Sequence, residues 1–284
     1  MAKNIAHSVR ERLLNTSKKL GVDYQVILTR YFHERFLYRL AQSSYKDNFC
    51  LKGGTLLFAY EKILARPTLD MDFSANRISN NLQDIRDAVT EICLIGCAED
   101  GVIFDDASIT AESITEFKEY HGVRVHLKAY LDSIRQQVSI DFGFGDTIIP
   151  APQVLPFPNI LTDTPTAPLL MYPLETVIAE KFQSMIELAG QNSRMKDFFD
   201  VYNILTNYTF NQGHLTRAIQ KTFQNRHTVV NSDSILYDPD FGNRERMNRL
   251  WKAFLRKIRT KDSLEFNEVW EFIKEQLAHY VVSL

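Results

Sequence analysis

The placement of proline constrains this chain more than any other feature. Six of its nine prolines fall within residues 148–168, and a residue with a fixed φ and no backbone N–H is excluded from helix interiors and central strands. That stretch therefore reads as an extended connector, dividing the 284 residues into two blocks of different texture. Ahead of it, helical spacing predicts a helix over residues 6–20 closed by Gly21, then a second from an Asp23 cap to residue 41 with Tyr24, Ile27, Leu28 and Tyr31 on one stripe. Short β-type runs follow at 49–51, 69–73, 108–116, 122–130 and 134–142. Helices are expected over 56–64 and from a Ser79 or Asn80 cap to residue 95, and Leu131-Asp132-Ser133 suggests a hairpin. Behind the connector everything reads as helix: 173–188, 194–205, 214–224, 244–258 and 266–281. Strands and helices segregated in this way predict an α+β protein, with a mixed-sheet domain and N-terminal helices over residues 1–165 and a helical C-terminal domain over 166–284.

At 45% hydrophobic and 24% charged, the chain has the composition of a globular protein with a real core. No run approaches the roughly 20 apolar residues of a membrane helix, and the first residues lack the apolar segment of a secretory signal. A cytoplasmic protein without a membrane partner is expected. Cys50, Cys93 and Cys97 form an odd set without metal-ligand spacing, which favours free thiols over a zinc site or a disulfide framework.

The chemistry concentrates in Leu69-Asp70-Met71-Asp72-Phe73. On a strand, residues two apart share a face, so the two carboxylates converge while Leu69, Met71 and Phe73 point to the core. Two like charges side by side need a cation, and an all-oxygen pair suits Mg²⁺ or Mn²⁺. Asp-x-Asp alone describes a solvent-facing pair on an edge strand even better. Two further features tip the balance. Gly53-Gly54-Thr55 falls at a strand-to-helix turn, where missing Cβ atoms and a helix N-terminus favour phosphate, although an ordinary tight turn reads the same way. Asp141, in Val138-Ser139-Ile140-Asp141-Phe142, is flanked by apolar residues and is either half-buried or aimed at a site. A third carboxylate from a neighbouring strand would complete a two-metal clamp for phosphoryl chemistry. Gly143 and Gly145 leave room for a substrate or form a plain loop.

Gly53-Gly54-Thr55, fourteen residues, then Asp70-Met71-Asp72-Phe73 resembles the glycine turn and alternating acidic–hydrophobic strand of the DNA-polymerase-β-type nucleotidyltransferases, with Asp141 as the third carboxylate. The fuller pattern is similar to the AbiEii/AbiGii abortive-infection toxins and the related MenT-type toxins. It comprises Lys52-Gly53-Gly54-Thr55, Arg66-Pro67-Thr68-Leu69-Asp70-Met71-Asp72, Ala179-Glu180-Lys181 and Arg194-Met195-Lys196-Asp197-Phe198-Phe199-Asp200. The resemblance spans about residues 1–205 and implies a nucleotidyltransferase-type sheet and metal-dependent transfer of NMP from an NTP. It also implies an RNA acceptor, tRNA 3′ ends above all, and a toxin of a toxin–antitoxin or phage-defence pair whose antitoxin has a winged-helix domain. It assigns nucleotide holding to Gly53, Gly54 and Thr55, metal binding to Asp70, Asp72 and Asp141, and catalytic roles to these carboxylates, Lys181 and Asp197. Lys181 also serves nucleotide binding, and Asp200 is a second candidate for the role of Asp197. Read without the resemblance, Lys181 is a solvated or snorkelling lysine and Asp197 and Asp200 belong to a surface ion network.

The near-neutral charge of -2 hides an uneven distribution. Residues 1–46 carry +6, residues 244–261 carry +7, and the middle is acidic. Arg249, Lys252, Arg256 and Lys257, with Arg259 and Lys261 beyond, are expected along one helix face opposite Leu250, Trp251, Phe254 and Leu255. Such a strip suits an RNA backbone or is a plain solvated face. Transfer to a small molecule or to a protein, and a non-catalytic nucleotide-binding module, are the competing functions.

Overall fold

The computed structural model describes residues 2–117, 120–260 and 263–281, and the chain divides into two compact units. The first comprises residues 1–146 and 152–172, and the second residues 147–151 and 173–284. Among the described residues there are seven strands and nine α-helices. No helix is long and apolar enough to cross a membrane.

The first unit begins with α1 (Ala2–Leu20) and α2 (Tyr24–Gln42), the latter capped by the Asp23 carboxylate accepting from the Gln25 N–H. Then come β1 (Phe49–Lys52), α3 (Gly53–Glu61), β2 (Asp70–Ala75) and α4 (Leu82–Leu94). The cap of α4 is Asn81, one residue past the expected pair, because its side-chain oxygen is the one that reaches the N–H of Gln83. Long antiparallel strands follow: β3 (Val102–Phe117), β4 (Tyr120–Leu131) and β5 (Ile134–Phe144), then β6 (Gln153–Phe157) and β7 (Ala167–Met171). They make one mixed sheet in the order β3-β4-β5-β2-β1-β7-β6. β2 runs antiparallel to β1 and parallel to β5.

The proline-rich stretch is thus more than a connector, since it contains β6, which pairs antiparallel with the β7 that begins at its end. Edge position makes this possible: β6 ends the sheet, and Pro156 faces Pro168. The missing N–H groups fall at one point of the ladder instead of two. Strand β7 accordingly belongs to the first unit.

One face of the sheet is apolar. Leu51, Met71, Phe73, Ile140 and Phe142 are fully buried, and the Phe49 ring lies 4.7 Å from that of Phe142. Leu69 departs from expectation: it precedes β2 and is 74% exposed, so strand alternation does not govern it. Helix α2 is buried nearly all round, charges included. Arg39 grips Asp100 at 2.6 and 3.3 Å. Glu34 pairs with Arg35 at 2.5 Å and accepts the Ile160 N–H at 2.7 Å. Each of these buried charges is met by an opposite one, as burial requires.

The second unit packs α5 (Leu174–Leu188), α6 (Met195–Asn207), α7 (Gln212–Asn225), α8 (Glu245–Ile258) and α9 (Phe266–Leu277). Its core is aromatic: Phe198 lies 5.1 Å from Phe266, Phe241 lies 5.0 Å from Trp270, and Trp251 is fully buried. Residues 147–151 join it because the Thr176 hydroxyl donates to the Ile149 carbonyl (2.8 Å) and accepts the Ile149 N–H (3.0 Å).

Candidate metal centre and flanking cations

Strand register builds the site. Lys52 on β1 stands opposite Asp72 on β2, and Asp72 opposite Asp141 on β5. Asp141 stands opposite Arg124 on β4, and Arg124 opposite Glu112 on β3. Cross-strand partners share a face, so one transverse row reads Glu112, Arg124, Asp141, Asp72, Lys52. Asp70, two residues before Asp72, adds a third carboxylate to the same face. Oxygens of Asp70, Asp72 and Asp141 all lie within 4.8 Å of one another. At that spacing two carboxylates repel by about 3.5 kcal/mol at an effective dielectric of ~20.

The glycine turn is fitted to this cluster. Gly53 has φ +69°, and a Cβ on it would come 1.9 Å from Asp72 Oδ2, so both conformation and space demand glycine. A Cβ on Gly54 would come 2.8 Å from Thr68 Oγ1. Thr68 donates to Asp70 Oδ1 at 2.8 Å, orienting that carboxylate. Thr55 is buried, and its hydroxyl donates to the Asp70 carbonyl at 2.9 Å, tying the turn to β2. Behind it, His33 Nδ1 lies 3.3 Å from Thr55 Oγ1, and burial lowers the imidazole to about 4, so it is neutral at pH 7. Gly145, at φ +78°, needs glycine for its turn, whereas a Cβ on Gly143 would sit at an ordinary 3.5 Å from its neighbours.

Two cations bracket the carboxylates. Arg124 forks onto Asp141, Nε to Oδ1 at 2.7 Å and Nη2 to Oδ2 at 2.6 Å, and these hydrogen bonds raise the guanidinium above its ordinary range. Lys52 Nζ lies 2.6 Å from Asp146 Oδ2, which also accepts the Tyr172 hydroxyl at 2.8 Å. Neither pairing has a local sequence signal. Arg124 and Asp141 are 17 residues apart, and only the β4–β5 register joins them.

Three convergent carboxylates on one sheet face fit a hard divalent cation with water and phosphate completing its shell. Arg124 does not spoil that fit, because each carboxylate oxygen keeps a second lone pair.

The second unit brings together the other expected residues. Lys181 Nζ lies 2.6 Å from Asp197 Oδ1 and 2.9 Å from Asp200 Oδ2, and Arg194 Nε lies 2.8 Å from Asp197 Oδ2. Both aspartates are 1% exposed, so this is a buried cluster and not the surface network that helix spacing alone suggests. Burial pushes the Asp197 carboxyl up, but Lys181 and Arg194 outweigh it and hold it down to about 2. On α8, Arg249, Lys252, Arg256 and Lys257 are exposed, as is Arg259 beyond it, while Trp251 and Met247 pack inward. Leu250, Phe254 and Leu255 are only half-buried, and Lys261 lies outside the described residues. The basic N-terminal stretch is different. Arg30, Arg35 and Arg39 are buried, Arg10 pairs with Asp132, and Arg12 with Asp163. Much of that positive charge is consumed within the fold.

The family model described as nucleotidyl transferase AbiEii toxin, type IV TA system, matches residues 35–273. Two solved structures are similar, one of a candidate nucleotidyltransferase from H. pylori and one of JHP933 from Helicobacter pylori. Each has 15% identity and a TM-score of 0.48; the first alignment covers 91% of this chain and 98% of that one, the second 92% and 97%. No curated protein matches.

Proposed function

Because the chain belongs to the AbiEii family of nucleotidyl transferase toxins of type IV toxin–antitoxin systems, we propose that it transfers NMP from an NTP to the 3′ end of an RNA, tRNA foremost. The observation that carries this reading is the meeting of Asp70, Asp72 and Asp141 within 4.8 Å beside the Gly53-Gly54 turn.

In this reading Asp70, Asp72 and Asp141 hold Mg²⁺ or Mn²⁺, which when bound polarises the triphosphate and lowers the pKa of the attacking hydroxyl. Asp70 is aimed by Thr68 and Asp141 by Arg124. The backbone of Gly53 and Gly54, at the N-terminus of α3, receives phosphate oxygens. Thr55 acts by bracing that turn. The 3′-hydroxyl oxygen bonds to the α-phosphorus, its proton passing to a carboxylate of the cluster, as the bond to the bridging oxygen breaks, releasing pyrophosphate. Lys181 balances polyphosphate charge, with Asp197 and Asp200 fixing its ammonium. The exposed cations of α8 favour an RNA backbone over a small hydroxyl compound or a protein as acceptor. Family membership implies a cognate antitoxin, and we assign it a winged-helix domain.

Incubation with each α-labelled NTP and total cellular RNA tests this reading. Label on tRNA-sized RNA is expected. Label confined to small molecules or protein transfers the assignment to those acceptors, and nucleotide binding without pyrophosphate release makes the protein a binding module.

A further inference from the structure

Arg124 aims Asp141, and the geometry of that contact carries a further consequence for the cation the cluster would hold. It presents two N–H groups to both oxygens of Asp141, at 2.7 and 2.6 Å, while its side chain stays 37% exposed. The fork geometry is the strong, bidentate form of an arginine–carboxylate pair. It offsets one negative charge of the three-carboxylate cluster, and it occupies one lone pair on each Asp141 oxygen, leaving the other to a cation that the guanidinium repels. Glu112, opposite Arg124 on β3, is exposed and does not hold the guanidinium away.

Resting on the metal-centre reading above, we propose that Arg124 is a positioning residue that clamps Asp141 and holds the divalent-cation affinity of the nucleotide-free protein down, so that full loading awaits the negative charge of a triphosphate. At 37% exposed the guanidinium is accessible to a phosphate, and a phosphate binds an arginine fork as a carboxylate does. Metal and NTP thereby bind with positive coupling: each raises the affinity of the other by the same factor. Loss of the clamp frees one short side chain, a smaller effect than removing a unit positive charge from a site that takes a dication.

The test is Mn²⁺ binding to the full chain, followed by electron paramagnetic resonance of free Mn²⁺, with and without a non-hydrolysable NTP analogue. Wild type is expected to bind weakly alone and at least ten-fold more tightly with the analogue. Arg124→Gln is expected to tighten binding without nucleotide by five-fold or more and to shrink the nucleotide effect to three-fold or less. Arg124→Lys, which keeps the charge, is expected to stay within three-fold of wild type. Arg124→Met supplies the same charge loss should the glutamine variant be unstable. Unchanged or weaker Mn²⁺ binding on loss of the charge overturns the proposal, as does a wild type without coupling. Asp70→Asn and Asp141→Asn separate this from failure of the metal-centre reading. If both leave Mn²⁺ binding at the wild-type level, the centre itself is wrong. If both abolish binding while Arg124→Gln changes nothing, the centre stands and the role of Arg124 falls.

Discussion

Gly53 and Asp72 illustrate how closely the site depends on single residues. A Cβ at Gly53 would occupy the place of Asp72 Oδ2, 1.9 Å away, and the φ of +69° is itself unfavourable for any other residue. Gly53→Ala is therefore expected to destabilise the protein by about 1–3 kcal/mol and to remove nucleotidyl transfer by displacing Asp72. Thermal unfolding and α-labelled NTP incorporation measure the two effects, and wild-type values for both would contradict the fit. Asp197 makes a prediction about pH. Its folded carboxyl sits at about 2, below the ordinary value of 3.8, so its stabilising contribution is complete above pH 4 and is lost as pH falls through 2. The loss amounts to about 2 kcal/mol. Asp197→Asn should flatten the acid limb of the stability curve relative to wild type, measured by urea unfolding between pH 2 and 5. At this scale the sequence is informative where the geometry is local. Asp70 and Asp72 share a face by strand period alone, whereas Leu69 fails the same rule because β2 begins one residue later.

Among the elements, pairing register carries what local patterns do not. Arg124 reads as a polar residue on an alternating strand, and only the β4–β5 and β5–β2 registers place it beside a carboxylate facing Asp72. The proline-rich stretch misleads for a related reason. Pro156 and Pro168 argue against strands one at a time, yet an edge strand that sets them opposite each other tolerates both. Helix α2 is a third case. Its pattern of Arg30, Glu34, Arg35 and Arg39 looks solvated, but partners far along the chain, Asp100 and Ile160 among them, let these charges be buried. Breaking one such pair should be costly: Asp100→Ala leaves the buried Arg39 guanidinium uncompensated and is expected to destabilise the fold by about 3–5 kcal/mol. Equilibrium urea unfolding measures it, and a destabilisation below about 1 kcal/mol would contradict the assigned burial.

For the whole molecule, the charge of -2 resolves into regions with different fates. In the positive N-terminal stretch Arg10, Arg12, Arg35 and Arg39 are spent on internal pairs, whereas α8 sets Arg249, Lys252, Arg256 and Lys257 exposed on one helix, which makes it the segment we assign to a polyanion. Arg249→Glu with Arg256→Glu should weaken RNA binding and lower the salt slope by about 0.7–0.9 for each phosphate no longer neutralised, measured by filter binding across a salt series. An unchanged slope would remove α8 from the interface. The proposed function makes nucleotidyl transfer depend on the three carboxylates, and the most direct measurement is incorporation of α-labelled NTP into RNA by Asp70→Asn and Asp72→Asn proteins shown by circular dichroism to be folded. Relief of like-charge repulsion leaves their fold intact, and incorporation at background is the expected result. Incorporation by either folded variant at the wild-type rate would contradict it.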